Sequence, residues 1–306
     1  MQRSCRLGVL ASKAIVRDDG GNGVGDGRDE QPDTAYWLCD VFPSEYKYRM
    51  AAFVRGFIDA STASGGRTTF GGLPVMTVAA WVGPVASWGS FDRLWRACRE
   101  QAGIKRFHMT DYVARQREYG CWSEHKRHAV IDDLLALTVQ TVRYGVSISI
   151  DLEQFEKLWP ENHPYIFCAS QCISVMAMRL KEHEISEEIF YIYDDGDERG
   201  GQFREAMADV IGLGERYRQM FNAHTISPGS GIKWPGLDAA DYLAWTGGHV
   251  PGYYYDRVVA LNCAEFWRLR DDDLIRAVDI IRGQTTKEFP ELKRLAYKWG
   301  FRPEDV

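Results

Sequence analysis

Two apolar runs that each end in an aspartate constrain this chain more than anything else in it. The first is Ala51-Ala52-Phe53-Val54-Arg55-Gly56-Phe57-Ile58, closed by Asp59. The second is Ile189-Phe190-Tyr191-Ile192-Tyr193, closed by Asp194. Short runs rich in β-branched and aromatic side chains predict buried strands. A third aspartate, Asp241, lies in Gly236-Leu237-Asp238-Ala239-Ala240-Asp241-Tyr242-Leu243-Ala244-Trp245, which reads as the first turns of a helix. Asp238 stands three residues before it and shares its face. Carboxylates at the ends of two neighbouring strands, joined by a third from a helix packed beside them, can converge on one hard cation.

The remaining pattern supplies a scaffold for such strands. After Asp59, the small residues Ala60 to Gly66 suit a turn, and the apolar run Leu73 to Val82 completes a hairpin. Phe91, Leu94, Trp95 and Cys98 are spaced as one face of a helix spanning Trp88 to Gln101. Ser123 is placed to cap a helix through Leu134 and Val139, which leads into a strand over Val142 to Ile150. Residues 165 to 185 predict a helix and Phe221 to Ile226 a weaker strand, while Asn262 to Arg282 predict a further helical stretch. Strands alternating with helices in this order predict an α/β fold: a mixed sheet whose first hairpin is antiparallel, with helices on its flanks.

Composition narrows the function classes. A chain of 306 residues with 45% hydrophobic and 26% charged residues is that of an ordinary globular protein. The net charge of -6 argues against a surface that is basic throughout, so any nucleic-acid contact must use a local basic rim, with Lys105, Arg106, Arg67 and Lys233 as candidates. Seven cysteines without a CxxC pair read as reduced thiols of a cytoplasmic protein. No apolar stretch approaches the ~18 residues of a membrane span. Residues 18 to 33 are rich in Gly and Asp and have few side chains that repay ordering. Residues 1–50 are therefore expected to form a disordered or weakly ordered extension, with translation from Met50 as the limiting case. A docked arm carrying Tyr36-Trp37-Leu38 is the competing expectation. Residues 51–250 form the expected main domain, and residues 251–306 a C-terminal helical extension of it.

Four segments, taken in order, carry a family likeness: Asp59-Ala60-Ser61 with Gly65-Gly66 after it, Phe107-His108-Met109-Thr110-Asp111, Tyr193-Asp194-Asp195-Gly196, and Leu237 to Trp245. Through them the chain from about Phe53 to Trp245 resembles the family designated domain of unknown function 3800, a ribonuclease H-like group. Ala60 stands where that family often has a second acidic residue. Asp238 stands where it commonly has Gln, which adds a negative charge. The resemblance implies a ribonuclease H-like fold and a metal-dependent, nuclease-type site, and it implies no particular substrate.

From the residues themselves, Asp59, Asp194 and Asp241 are candidate ligands for Mg²⁺ or Mn²⁺; the resemblance, which aligns Asp241 with the family's Ala-Asp pair, puts Asp241 first and leaves Asp238 in reserve. Phosphodiester hydrolysis needs an activated water and charge relief on the leaving oxygen, which two such ions ~4 Å apart can supply. His108 is the candidate acid or base. Its competing reading is that Phe107-His108 plugs the sheet edge and the ring satisfies a backbone carbonyl. Asp111 either orients His108 or caps a turn. Tyr253-Tyr254-Tyr255 with Arg257 either stacks on unpaired bases or packs the C-terminal extension. Three functions stay open on this reading. One is a metal-dependent nuclease acting on RNA, DNA or a hybrid. Another is a non-catalytic partner- or nucleic-acid-binding protein of a defence or mobile-element system. The third is phosphoryl or sugar-phosphate chemistry on a small molecule.

Overall fold

Alternation along one strand sorts the molecule into two cores. In β1 (Val54–Ala63), Phe57 packs into one apolar cluster and its neighbour Ile58 into the other, because successive strand side chains point to opposite faces. The antiparallel partner β2 (Val75–Pro84) does the same. Ala79 and Trp81 join Phe57, while Met76, Val78, Ala80 and Val82 join Ile58. The computed structural model describes residues 54–63, 74–160, 162–182, 189–194, 205, 223–249 and 264–278. The N-terminal extension, Arg67, the acidic residue after Asp194 and the Tyr253-Tyr254-Tyr255 group lie outside the described residues.

The chain continues as α1 (Val85–Ala102), α2 (Met109–Ala114), a 3-10 turn at Arg117–Cys121 and α3 (Glu124–Thr141). Next come β3 (Tyr144–Asp151), α4 (Leu152–Leu158), α5 (Pro164–Glu182) and β4 (Ile189–Asp194). β5 (Ala223–Gly229), α6 (Gly236–Gly248), β6 (Ala264–Leu269) and α7 (271–278) complete the described elements. Local signals explain several boundaries. Gly103, in the left-handed region at φ 77°, ends α1. Ser123 caps α3 by accepting from the Lys126 backbone N–H, as its position predicts. Asp151 caps α4 by accepting from the Gln154 N–H.

The six strands lie in the order β5-β4-β1-β2-β3-β6. β2 is antiparallel to β1 and to β3, while β4 runs parallel to β1, β5 to β4, and β6 to β3. The antiparallel first pair and the flanking helices match the expected mixed α/β architecture. Helices α4, α5 and α7 cover the Ile58 face, through residues such as Phe155, Cys172, Met176 and Leu274. Helices α1, α2, α3 and α6 cover the Phe57 face, through Trp88, Phe91, Trp95, Tyr112, Leu134 and Leu243.

Two sequence expectations are corrected here. Asp59 does not close β1, since the strand continues to Ala63 and pairs with β2 over its whole length. Ala60 to Ala63 look like turn residues, but pairing with a strongly apolar partner overrides their weak intrinsic preference. The stretch from Asn262 to Arg282 is not helical throughout. Ala264–Leu269 adds β6 to the edge of the sheet beside β3, and the helix follows at 271–278.

Candidate metal and active site

Register brings the first two carboxylates together. The parallel ladder between β1 and β4 ends at the pair Ile58 and Tyr193, so the next residue on each strand is Asp59 and Asp194. Asp59 lies two residues beyond Phe57 and Asp194 two beyond Ile192. Phe57 and Ile192 both belong to the core beneath α6, so both carboxylates emerge on that face. β4 stops there, which leaves the aspartates at the end of the shared ladder even though β1 runs on.

Helix α6 delivers the third. Its first residue, Gly236, lies so close to Phe57 that a Cβ there would sit 2.3 Å from the ring, so the helix N-terminus rests directly on β1. Trp81 of β2 donates its indole N–H to the carbonyl of Ala239 at 2.9 Å, which fixes the first turns over the sheet. Asp241 is 4% exposed, and its Oδ2 accepts from the Met109 backbone N–H at 2.6 Å. Asp241 therefore faces inward.

Arg106 sits among the three. Its Nη2 donates to Asp194 Oδ2 at 2.6 Å and lies 3.9 Å from Asp59 Oδ2. Burial pushes the Asp59 carboxyl well up from the usual carboxylate range. Repulsion from Asp241 and Asp194 adds to that rise, and Arg106 opposes it. Burial also raises Asp241, against the pull of His108, the Met109 N–H and Arg106. For Arg106 burial works against the charged form, but Asp194, Asp59 and Asp238 together hold its pKa above the ordinary value.

Asp238 is fully buried and is committed to structure. Its Oδ2 accepts from Trp95 Nε1 at 2.8 Å, from the Phe107 backbone N–H at 3.1 Å and from Arg99 Nη1 at 3.1 Å. Burial pushes its carboxyl up to about 6, with Arg99 the strongest opposing influence. Arg99 also donates to the Gly231 carbonyl at 2.8 Å, and Arg96 donates to the carbonyls of Ile232 and Lys233. Helix α1 thus ties down the turn that leads into α6. Trp95, Arg96 and Arg99 were not legible as site supports in the sequence, where their spacing signals only a helix face.

His108 precedes α2 as its N-cap residue, with no side-chain capping bond. Phe107 before it is fully buried against Trp95, Tyr112 and Tyr119. Tyr119 holds this segment, because its hydroxyl accepts from the His108 backbone N–H at 3.1 Å and donates to the Arg106 carbonyl at 3.3 Å. His108 Nδ1 is buried and, among the described residues, has no hydrogen-bond partner. Asp111 pairs with Arg117 at 3.2 Å. Lys105 and Lys233 are exposed on the two segments that meet where Arg106 packs on Gly231.

Among the described residues, no group of three or more His, Cys, Asp or Glu side chains stands ready to hold a metal ion. The donor chemistry nevertheless suits a hard divalent cation: three carboxylates on one face, Asp59 and Asp241 buried and Asp194 partly so, with Asp194 Oδ1 lacking a hydrogen-bond partner among the described residues. Also among the described residues, no helix is long and apolar enough to cross a membrane.

Neither a family model nor a curated protein matches the chain. Among solved structures, the ribonuclease H2 from Pyrococcus horikoshii OT3 is similar to it at 9% identity and a TM-score of 0.31, over 80% of this chain and 98% of that one.

Proposed function

We propose that this chain is a divalent-metal-dependent phosphodiester hydrolase acting on RNA, DNA or a hybrid. One observation carries the reading: Asp59, Asp194 and Asp241 meet on the α6 face of the sheet, where Arg106 supplies the positive charge. The resemblance to the domain of unknown function 3800 family supports the same reading. Asp59, Asp194 and Asp241 would hold Mg²⁺ or Mn²⁺, while Asp238 keeps the segment before His108 in place. Bound there, such ions supply an activated water and relief of charge on the leaving oxygen.

The chain's own residues do the rest. His108, with a free ring nitrogen next to Asp241, holds or moves a proton at Nδ1. Tyr119 and Asp238 fix the backbone between Arg106 and His108 and so set where that ring stands. Lys105 and Lys233 offer charge to a phosphate backbone, which favours a polynucleotide over a small phosphate ester.

A screen of labelled RNA, DNA and hybrid with Mg²⁺ or Mn²⁺ tests the proposal. Cleavage by wild type that is abolished by chelator and by Asp194→Asn is expected. The same ion pair favours a second reading, in which Arg106 permanently neutralises the carboxylates and the fold only binds a partner. A well-folded wild type that binds these polymers without cutting any of them would select that reading.

A further inference from the structure

Two arginines reach buried aspartates in this fold, and they are built differently. Arg99 is 4% exposed and spreads its donors over the Gly231 and Ile232 carbonyls and Asp238, all fixed neighbours. Arg106 is 25% exposed at its side chain and concentrates on Asp194 and Asp59 through a single nitrogen. Its Nε is buried with no acceptor among the described residues, so the seat those residues form leaves one donor unsatisfied. The stem packs so tightly on Gly231 that a Cβ there would lie 2.5 Å from Nε. Both polar groups of the peptide that follows Arg106 are pinned, the Arg106 carbonyl by Tyr119 and the Phe107 N–H by Asp238. The guanidinium can therefore leave while the chain beneath it stays in place.

We infer that Arg106 is an internal counter-cation, which occupies the carboxylate cluster in the metal-free protein and swings toward solvent when a divalent metal enters. The inference rests on the metal-site reading above and adds its regulation. A +1 guanidinium and a divalent cation compete for the same oxygens of Asp194 and Asp59. Metal affinity is then set by the difference between the two states rather than by the carboxylates alone. Arg106 also offsets, in the metal-free protein, the mutual repulsion of the three carboxylates.

The test is calorimetric titration of Mn²⁺ into the full chain as wild type, Arg106→Gln and Arg106→Lys. Arg106→Gln is expected to bind with a Kd lower by about tenfold or more, and Arg106→Lys to fall between it and wild type. Because Arg106→Gln loses a buried ion pair and its folding is at risk, a second measurement uses wild type itself. The side-chain Nε–H resonance of Arg106, assigned by its loss in Arg106→Lys, is followed by NMR as diamagnetic Mg²⁺ is added, and it is expected to move toward the position of an exposed arginine. Equal or weaker Mn²⁺ binding by folded Arg106→Gln, or an unmoved resonance at Mg²⁺ saturation, overturns the counter-cation role while leaving the metal site standing. Absence of metal binding in wild type and variant alike overturns both.

Discussion

Asp59 carries two penalties in the folded protein, since it is buried and it faces Asp194 and Asp241. Removing its charge should therefore stabilise the protein while damaging the site, a trade found where function needs an unfavourable arrangement. Asp59→Asn is expected to gain on the order of 1 kcal/mol in urea unfolding at neutral pH with chelator present, and to lose Mn²⁺ binding. Asp238 gives a prediction of a different kind. With its carboxyl pushed up to about 6, it ionises less readily in the folded chain than in the unfolded one. That difference favours the folded state below about pH 4, and the advantage is lost as pH rises through about 6. Replacing it with Asn should flatten the fall in stability over that window by about 3 kcal/mol, measured by urea unfolding across pH. The proximity of Asp59 and Asp194 was readable from sequence because each closes an apolar run. The role of Arg106 was not, because adjacent basic residues usually mark solvated surface and nothing local signals that a loop turns this one inward.

At the scale of elements, the site depends on how closely α6 approaches the sheet. Gly236 lies against the Phe57 ring, and Gly247 and Gly248 meet Ser147 and Thr77 with no room for a Cβ. Gly236→Ala should lift the helix N-terminus, cost roughly 1–3 kcal/mol by denaturant unfolding and weaken metal binding by displacing Asp241. Strong elements were legible. β2, β4, α1, α3 and α5 all follow runs or periodicities that burial explains. The missed elements are those in which tertiary contact outweighs local preference. The second half of β1 is built from small residues yet pairs fully with β2. β6 carries charges at Glu265 and Arg268 and is only partly buried at the sheet edge, so it shows neither strict alternation nor a continuous apolar run. α2 spans Met109–Ala114, too short for a helical period to register.

For the whole molecule, the strand order predicts where structure persists longest. β1 and β2 have hydrogen-bonded neighbours on both sides and apolar cores on both faces, whereas among the described residues β6 has a neighbour on one side, and none of its own residues is fully buried. Amide exchange should therefore be slowest along residues 75–83 and clearly faster along 264–269. Equal protection of the two would contradict the packing described here. The site stands at the rigid end of this gradient, since Asp59 is on a central strand and Asp241 on the helix packed across it. Such a position suits a preorganised charge cluster.

The most direct test of the central claim is the Mn²⁺ stoichiometry and affinity of wild type beside Asp59→Asn, Asp194→Asn and Asp241→Asn, each first shown to be folded. One shared site predicts measurable binding by wild type and its loss in all three variants. Binding by Asp241→Asn at wild-type strength would show that the helix carboxylate does not belong with the strand pair, and would contradict the account.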